Sequence, residues 1–349
     1  MVGDMDERVV LTREPLNAET PLDRQVGPIT PVGRHYVRSH FSAPPPPAHI
    51  AFSGLLAAPF RITPDELRAL PARTLAVTLE CAGNGRSFLD PPAPGEQWRL
   101  GAVGTAEWTG VPLATLVARA APLPAARELV FRGADAGVPN GLVREIAYER
   151  SLPVPDALGG EALLAYAMNG EPLVAEHGAP VRLVVPGSYG MASVKWLAEV
   201  TAVADPFPGF FQRDRYVIDG APLGAIEPRA VIVEPADNAE LRAGPTRVRG
   251  YAWCARDPIA GVELSTDRGT TWAAARLAEP LSPFAWREWT HEWNARPGRR
   301  ILIARAVTHR GERQPLDQVV NPLGYSNTAA QPVRVSVVWR HDNRSGAGD

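Results

Sequence analysis

Lysine is almost absent from this chain of 349 residues: Lys195 is the single one, and the rest of the 36 basic residues are arginine. Cysteine is nearly as scarce, with Cys81 and Cys254 alone. Two thiols exclude a disulfide-built scaffold and any four-cysteine zinc or iron–sulfur centre within one chain. Excess charge of either sign is missing too, since 36 basic against 38 acidic residues leave −2. Without a basic excess no electrostatic footprint for nucleic acid is expected. No apolar run reaches the roughly 18 residues of a membrane helix, so no membrane span is expected. The first ten residues, MVGDMDERVV, contain neither a basic-then-apolar leader nor a twin-arginine signal, which predicts a cytoplasmic protein.

Several familiar motifs are also lacking. There is no glycine-rich dinucleotide or phosphate loop, no His-Glu-x-x-His and no Gly-x-Ser-x-Gly. The main nucleotide-binding, zinc-hydrolase and serine-hydrolase routes are therefore closed. What is abundant is proline, at 36 residues, and glycine, at 31. Against ordinary apolar (45%) and charged (21%) fractions, that surplus predicts a loop-rich globular fold with short strands. The length suggests two domains.

Residues 1–48 read as extended and turn-rich, ending in a proline run at 44–47 that lies over the surface. A helix is predicted over 63–70, with Thr63 as cap, Pro64 at its first position and Glu66 closing a capping box. A strand over 74–80 (TLAVTLE) runs straight into Cys81 and the glycine-bearing loop CAGNGRS. A short helix over 111–120 and strands over 128–132 and 181–185 complete a mixed α+β first domain, residues 1–225. From about residue 228 the texture is strands alone, seven of them separated by turn signals. This predicts an all-β immunoglobulin-like sandwich over 226–340 with a tail at 341–349. Cys254 falls among these strands as a space-filling buried thiol.

The chemistry that remains possible centres on Cys81, a thiol at a strand end, where ligand sites collect. Arg38, His40, Arg86, His177, Arg182 and Lys195 are cations able to approach it, and a thiol among cations becomes a nucleophile or a soft-metal ligand. The residues alone leave open whether Cys81 is functional or an ordinary buried cysteine. His35, His49, His291, His309 and His341 read as structural or surface residues.

Several separate stretches, in one order over roughly residues 30 to 338, resemble the sulfite oxidase family of molybdopterin enzymes. In the first domain they are TLECAGNGRS, Trp98 with the following GAVGTAEWTGVPL, MNGEPLVAEHGAPVRLVVPGSYGMASVKWL and FFQRDRY. VRGYAW, GVELSTDRGTTW and ILIARAVTHRGERQPLD resemble that family's C-terminal dimerisation domain. The resemblance implies that Cys81 is the single protein ligand to molybdenum, beside the sulfurs of one molybdopterin. It implies that Val37, Arg38, Ser39 and His40 contact the pterin or its phosphate, where the family prefers Phe for Val37 and Asn for Ser39. Asp135 would meet the pterin amino groups, His177 and Arg182 its phosphate end, and Ser193, Val194 and Lys195 its flank. Arg38, Arg86, Trp98 and Tyr216 would form the pocket for a small oxyanion substrate. Two departures matter: Leu323 stands where sulfite-oxidising members carry a further arginine, and Gly85 replaces a frequent basic residue.

The implied activity is oxygen-atom transfer, sulfite to sulfate, in a homodimer. With no haem-binding segment expected, electrons would pass to an external acceptor such as a cytochrome. A reductase of S-oxides or N-oxides using the same cofactor, and a cofactor-free dimeric binding protein, are the competing readings.

Overall fold

The computed structural model describes residues 8–339; the tail at 341–349, His341 and the first seven residues lie outside the described residues. Sheet dominates. Among the described residues four α-helices occur, Pro64–Arg68, Leu113–Ala120, Val154–Gly159 and Phe210–Arg213, the longest of eight residues. The helical share expected of the first half is thus smaller than an α+β description implies. Proline at or next to the start of the first three, and the short spacing between turn signals, leave no room for longer ones.

The first half is built on two five-stranded sheets. One runs in the order Glu171–Pro172, Leu163–Met168, Val103–Pro112, Arg73–Glu80, with Arg182–Val184 also paired to Leu163–Met168. The other runs Phe60–Ile62, Ile50–Gly54, Leu197–Val203, Glu128–Gly137, Ile146–Pro153. Arg73–Glu80 pairs antiparallel with Val103–Pro112 over its whole length, so Cys81 leaves the sheet at a fixed register opposite Ala102, whose carbonyl accepts the Cys81 N–H at 2.9 Å. The helix at Pro64–Arg68 has the full capping box: Thr63 Oγ1 accepts from Glu66 N–H at 3.2 Å and Glu66 Oε2 accepts from Thr63 N–H at 2.8 Å. Prolines 44–47 lie along the surface with no regular structure.

Beyond residue 228 the strands form a four-stranded sheet (Arg229–Glu234, Gly244–Trp253, Arg287–Ala295, Arg276–Leu277) and a five-stranded one (Ala239–Arg242, Val333–Val338, Gly298–Thr308, Ile259–Ser265, Ala273–Ala274). Their apolar faces share one core containing Val248, Val262, Trp289 and Leu302. Ala273–Ala274 and Arg276–Leu277 are short residue pairs that join different sheets. A second core runs across both halves and includes Tyr251, Trp253 and Trp286 along with Phe131, Leu164 and Val194.

Gly250 sits where any side chain would collide: a Cβ there would lie 1.8 Å from the Val231 carbonyl oxygen and 2.8 Å from the Trp289 ring. Gly250→Ala is expected to cost at least about 2 kcal/mol by prising apart Arg229–Glu234 and Gly244–Trp253. Urea unfolding of the two proteins checks this, an unchanged midpoint being the contrary result.

Candidate active site

Cys81 opens into a cleft with about 660 Å³ of unfilled space, part of it continuous with solvent. Of the residues named from sequence, Val37, Arg38, Ser39, His40, Asp135, His177, Arg182, Ser193, Lys195 and Tyr216 line this cleft together with Cys81. They come from five separate stretches of chain. Val194 does not line it; its side chain is in the apolar core. Trp98 and Arg86 also stand behind the wall. Trp98 is fully buried in the apolar cluster that contains Cys81 and Tyr36. Arg86 folds back over its own loop, donating to the carbonyls of Glu96 (2.9 Å) and Leu323 (3.1 Å), with its guanidinium 5.3 Å from the Tyr325 ring centre. Gly83 permits this, since a Cβ there would meet the Arg86 guanidinium at 2.4 Å.

The segment 35–40 forms one wall. Val37 is fixed by a pair of backbone hydrogen bonds with Ala18 at 2.9 and 3.0 Å, and Asn17 Oδ1 accepts from Arg38 Nη1 (3.1 Å) and Ser39 N–H (2.9 Å). Arg38 Nη1 also donates to the Ser39 carbonyl, and Nη2 lies 3.1 Å from His40 Nδ1 and 3.3 Å from Nε2, over the edge of the ring. His40 Nε2 and Tyr216 Oη share a hydrogen bond of 2.6 Å. Burial holds Tyr216 above its ordinary range, so the phenol keeps its proton. Burial, with Arg38 second, holds His40 well below its ordinary value, so it is neutral.

At the other end Lys195 Nζ donates to Ser39 Oγ (2.6 Å) and to the Glu176 carbonyl (3.0 Å). Gly178, at φ +96°, makes room for it: a Cβ there would lie 2.8 Å from Lys195 Cβ. Burial and then Arg182 pull Lys195 down to about 7, while burial raises Asp135 to about 7 against the pull of Lys195. Arg182 stacks over Trp108 at 4.8 Å and spends its donors on the carbonyls of His177 (3.1 Å), Ser193 (3.1 Å) and Leu183 (3.5 Å). It thus shapes the floor of the cleft through backbone groups as well as lining it. Cys81 is 6% exposed, and burial raises its thiol while Arg38 and Arg86 oppose the shift. A metal would have to displace that proton.

Sequence reasoning missed Tyr36, Tyr148 and Glu176, and read His35 as structural or surface; all four line the cleft. His35 stacks on Tyr36 at 5.1 Å and meets His177 edge-on at 5.4 Å. Its place in the run 35–40, already singled out, was the available signal.

Two observations test whether a pterin fits. Asp135, which lines the cleft, has a buried Oδ1 without a partner. Such atoms are costly unless something bonds them, and the amino and ring-nitrogen edges of a pterin are suited to do so. A single accessible thiol with no group of three or more His, Cys, Asp or Glu around it, among the described residues, matches a metal that brings its other ligands on an organic carrier. The residues fit the group.

A sheet-built first half with one thiol in a cation-lined cleft, packed against the sheets that follow it, fits a molybdopterin-binding oxidoreductase. Residues 44–211 match the oxidoreductase molybdopterin binding domain, and residues 223–338 the Mo-co oxidoreductase dimerisation domain. The chain is 31% identical to chicken (Gallus gallus) sulfite oxidase, over 88% of this chain and 72% of that one. It is 32% identical to mitochondrial sulfite oxidase of Mus musculus, over 94% of this chain and 65% of that one. A Phaseolus vulgaris NADH nitrate reductase is 29% identical over 96% of this chain and 42% of its own length. Among solved structures, the sulfane dehydrogenase SoxCD from Paracoccus pantotrophus superposes with a TM-score of 0.84 at 27% identity, covering 95% of this chain and 88% of that one. The chain belongs to the sulfite oxidase family. It spans about 56–65% of the length of the mammalian sulfite oxidases it matches. Among the described residues no helix is long and apolar enough to cross a membrane.

Burial holds His35 at about 4 and keeps His40 and His177 well below their ordinary values. In the unfolded chain each takes a proton near pH 6.5, so the unfolded state binds more protons and stability falls as pH drops below that point. Asp135, raised to about 7, works in the opposite direction over pH 4–7 and offsets one histidine. The net expectation for the pterin-free protein is a loss of roughly 1–3 kcal/mol per pH unit between pH 6.5 and 5. Urea unfolding at a series of pH values checks it, and a flat profile would refute the buried, neutral state of these rings.

Proposed function

We propose that this chain is an oxygen-atom-transfer enzyme that oxidises sulfite, or a related small sulfur oxyanion, to sulfate and passes the electrons to an external acceptor such as a cytochrome. The observation that carries the reading is Cys81, a lone thiol in a cleft lined by Arg38, Arg182 and Lys195. When bound, a molybdenum–molybdopterin centre supplies a metal that exchanges an oxo group and two electrons with substrate. Cys81 Sγ would ligate the metal. Asp135, Lys195, Ser39, Val37 and His40 would hold the pterin, with His177, Arg182 and Ser193 at its phosphate end and Val194 supporting from the core. Arg38 would orient the oxyanion, a charge-assisted contact of roughly 1.5–3 kcal/mol. Tyr216, held by its hydrogen bond to His40 Nε2, would present its phenol to an oxygen in the cleft. Arg86 and Trp98 would act from behind the wall, Arg86 by its charge.

Division at about residue 225, with an immunoglobulin-like second domain serving a homodimer, belongs to the same proposal. It is supported by the shared core of the two C-terminal sheets and by the dimerisation-domain match. The free thiols of Cys81 and Cys254 suit a reducing compartment such as the cytoplasm.

A second reading, reduction of an S-oxide or N-oxide, is favoured by one observation. Leu323 offers Arg86 only a carbonyl, so neither residue adds a guanidinium to the lining of the cleft. A neutral substrate tolerates that, a dianion less so. Protein made in a pterin-competent host is expected to carry molybdenum, and Cys81→Ser to lose it; metal absent from the parent protein would reject both readings. Sulfite with ferricyanide, set against sulfoxides with reduced viologen, separates them. If sulfite is the substrate, Leu323→Arg should lower KM for it by roughly ten- to a hundredfold, with an unchanged KM favouring the neutral substrate.

A further inference from the structure

On the side of the strand end away from the cleft, Glu80 is 1% exposed and belongs to no part of the machinery described so far. Successive residues at a strand end point to opposite faces, so Glu80 turns toward the C-terminal sheets while Cys81 turns toward the cleft. Glu80 Oε2 accepts from Trp253 Nε1 at 2.8 Å, and Oε1 accepts from Asn84 Nδ2 at 3.0 Å. The Arg229 guanidinium lies 3.3 Å from Oε1, and both side chains are 2% exposed. Arg229 also donates to the carbonyls of Asn84, at 3.4 Å, and Asn327. Asn327 Nδ2 in turn donates to the Gly85 carbonyl at 2.8 Å, and Ser326 N–H to the Ala82 carbonyl at 2.8 Å. The loop that carries the thiol is therefore gripped from residue 80 to residue 85 by groups from the second half of the chain.

We infer that Glu80 is a positioning residue for Cys81, and that Arg229, Trp253 and Asn327 complete the thiolate site by fixing the loop from behind. The inference rests on the reading of Cys81 as the metal ligand. A strand end held only by its neighbour Val103–Pro112 would leave the loop free to pivot at residue 81. The carboxylate blocks that pivot, because any shift of Cys81 drags Glu80 away from Trp253 Nε1 and Asn84 Nδ2, for which it is the acceptor. A buried ion pair is a poor source of stability compared with apolar packing, but it specifies register.

The test uses full-length protein with Glu80→Gln, Trp253→Phe and Asn327→Ala. In pterin-free protein, iodoacetamide labelling of Cys81 is followed by peptide mass spectrometry, with Cys254 as internal reference and the melting temperature recorded. Glu80→Gln also removes a charge beside the thiol, so the two neutral variants decide between a grip and an electrostatic effect. A rise of about tenfold in Cys81 labelling in Trp253→Phe and Asn327→Ala is expected, with Cys254 unchanged in Asn327→Ala and melting within a few degrees. In metal-loaded protein the same variants should shift the thiolate-to-metal absorption band while keeping most of their molybdenum. Unchanged Cys81 labelling in both neutral variants overturns the inference. So does an equal rise at Cys254 in Asn327→Ala, which would mean general loosening. Absence of molybdenum from the parent protein would remove the functional reading, while the labelling result would still decide the grip.

Discussion

The cleft depends on cations taken out of water and hydrogen-bonded chiefly to neutral acceptors. Arg38 and Arg182 satisfy their donors with carbonyls, an amide oxygen and an imidazole nitrogen, and Lys195 with a hydroxyl and a carbonyl. Hydrogen bonds of this kind pair the donors but leave the positive charge in place. In a medium less polarisable than water that field is strong, and it adds to the burial that already holds the neighbouring histidines neutral. An anion entering such a space would meet positive charge already fixed in place by those bonds, which is the condition under which electrostatic stabilisation contributes most.

The second condition is that the two halves of the chain are a single mechanical object near the thiol. Arg86 reaches the Leu323 carbonyl, Trp286 Nε1 reaches the Pro28 carbonyl at 2.8 Å, and Tyr251 Oη the Gly27 carbonyl at 2.7 Å. These contacts join the N-terminal segment, the thiol loop and the C-terminal sheets. Removing one member of a buried ion pair such as Glu80 and Arg229 costs about 3–5 kcal/mol because its partner is left uncompensated. The C-terminal sheets are thus part of the site's rigidity, whatever further role they have in association.

Much of this was legible in the chain. The strand from Arg73 to Glu80, the Thr63–Glu66 capping box and the strands after residue 228 follow from alternation and local hydrogen-bonding rules, which act over a few residues. The gathering of Arg38, His40, Cys81, His177, Arg182, Lys195 and Tyr216 was legible only through the order of motifs, since no local rule relates residues so far apart. Trp98, Arg86 and Val194, which lie outside the lining, mark where that route stops short of side-chain placement. A motif fixes which residue occupies a position, but Gly83 and Leu323 decide that Arg86 turns back to a carbonyl. Glu80 carried no signal in the sequence because its partners, Trp253, Arg229 and Asn84, are tied to it only by the fold.

The geometry also divides the work between charge and proton. Arg38 lies within reach of both ring nitrogens of His40, and His40 Nε2 is bonded to Tyr216 Oη. Burial keeps the phenol protonated. A group of that kind holds its proton at any physiological pH. The cations, by contrast, discriminate by charge. Among the described residues Arg38 and the backbone-committed Arg182 are the two guanidinium groups in the lining, so the balance between charge and proton in this cleft rests on them and on Tyr216.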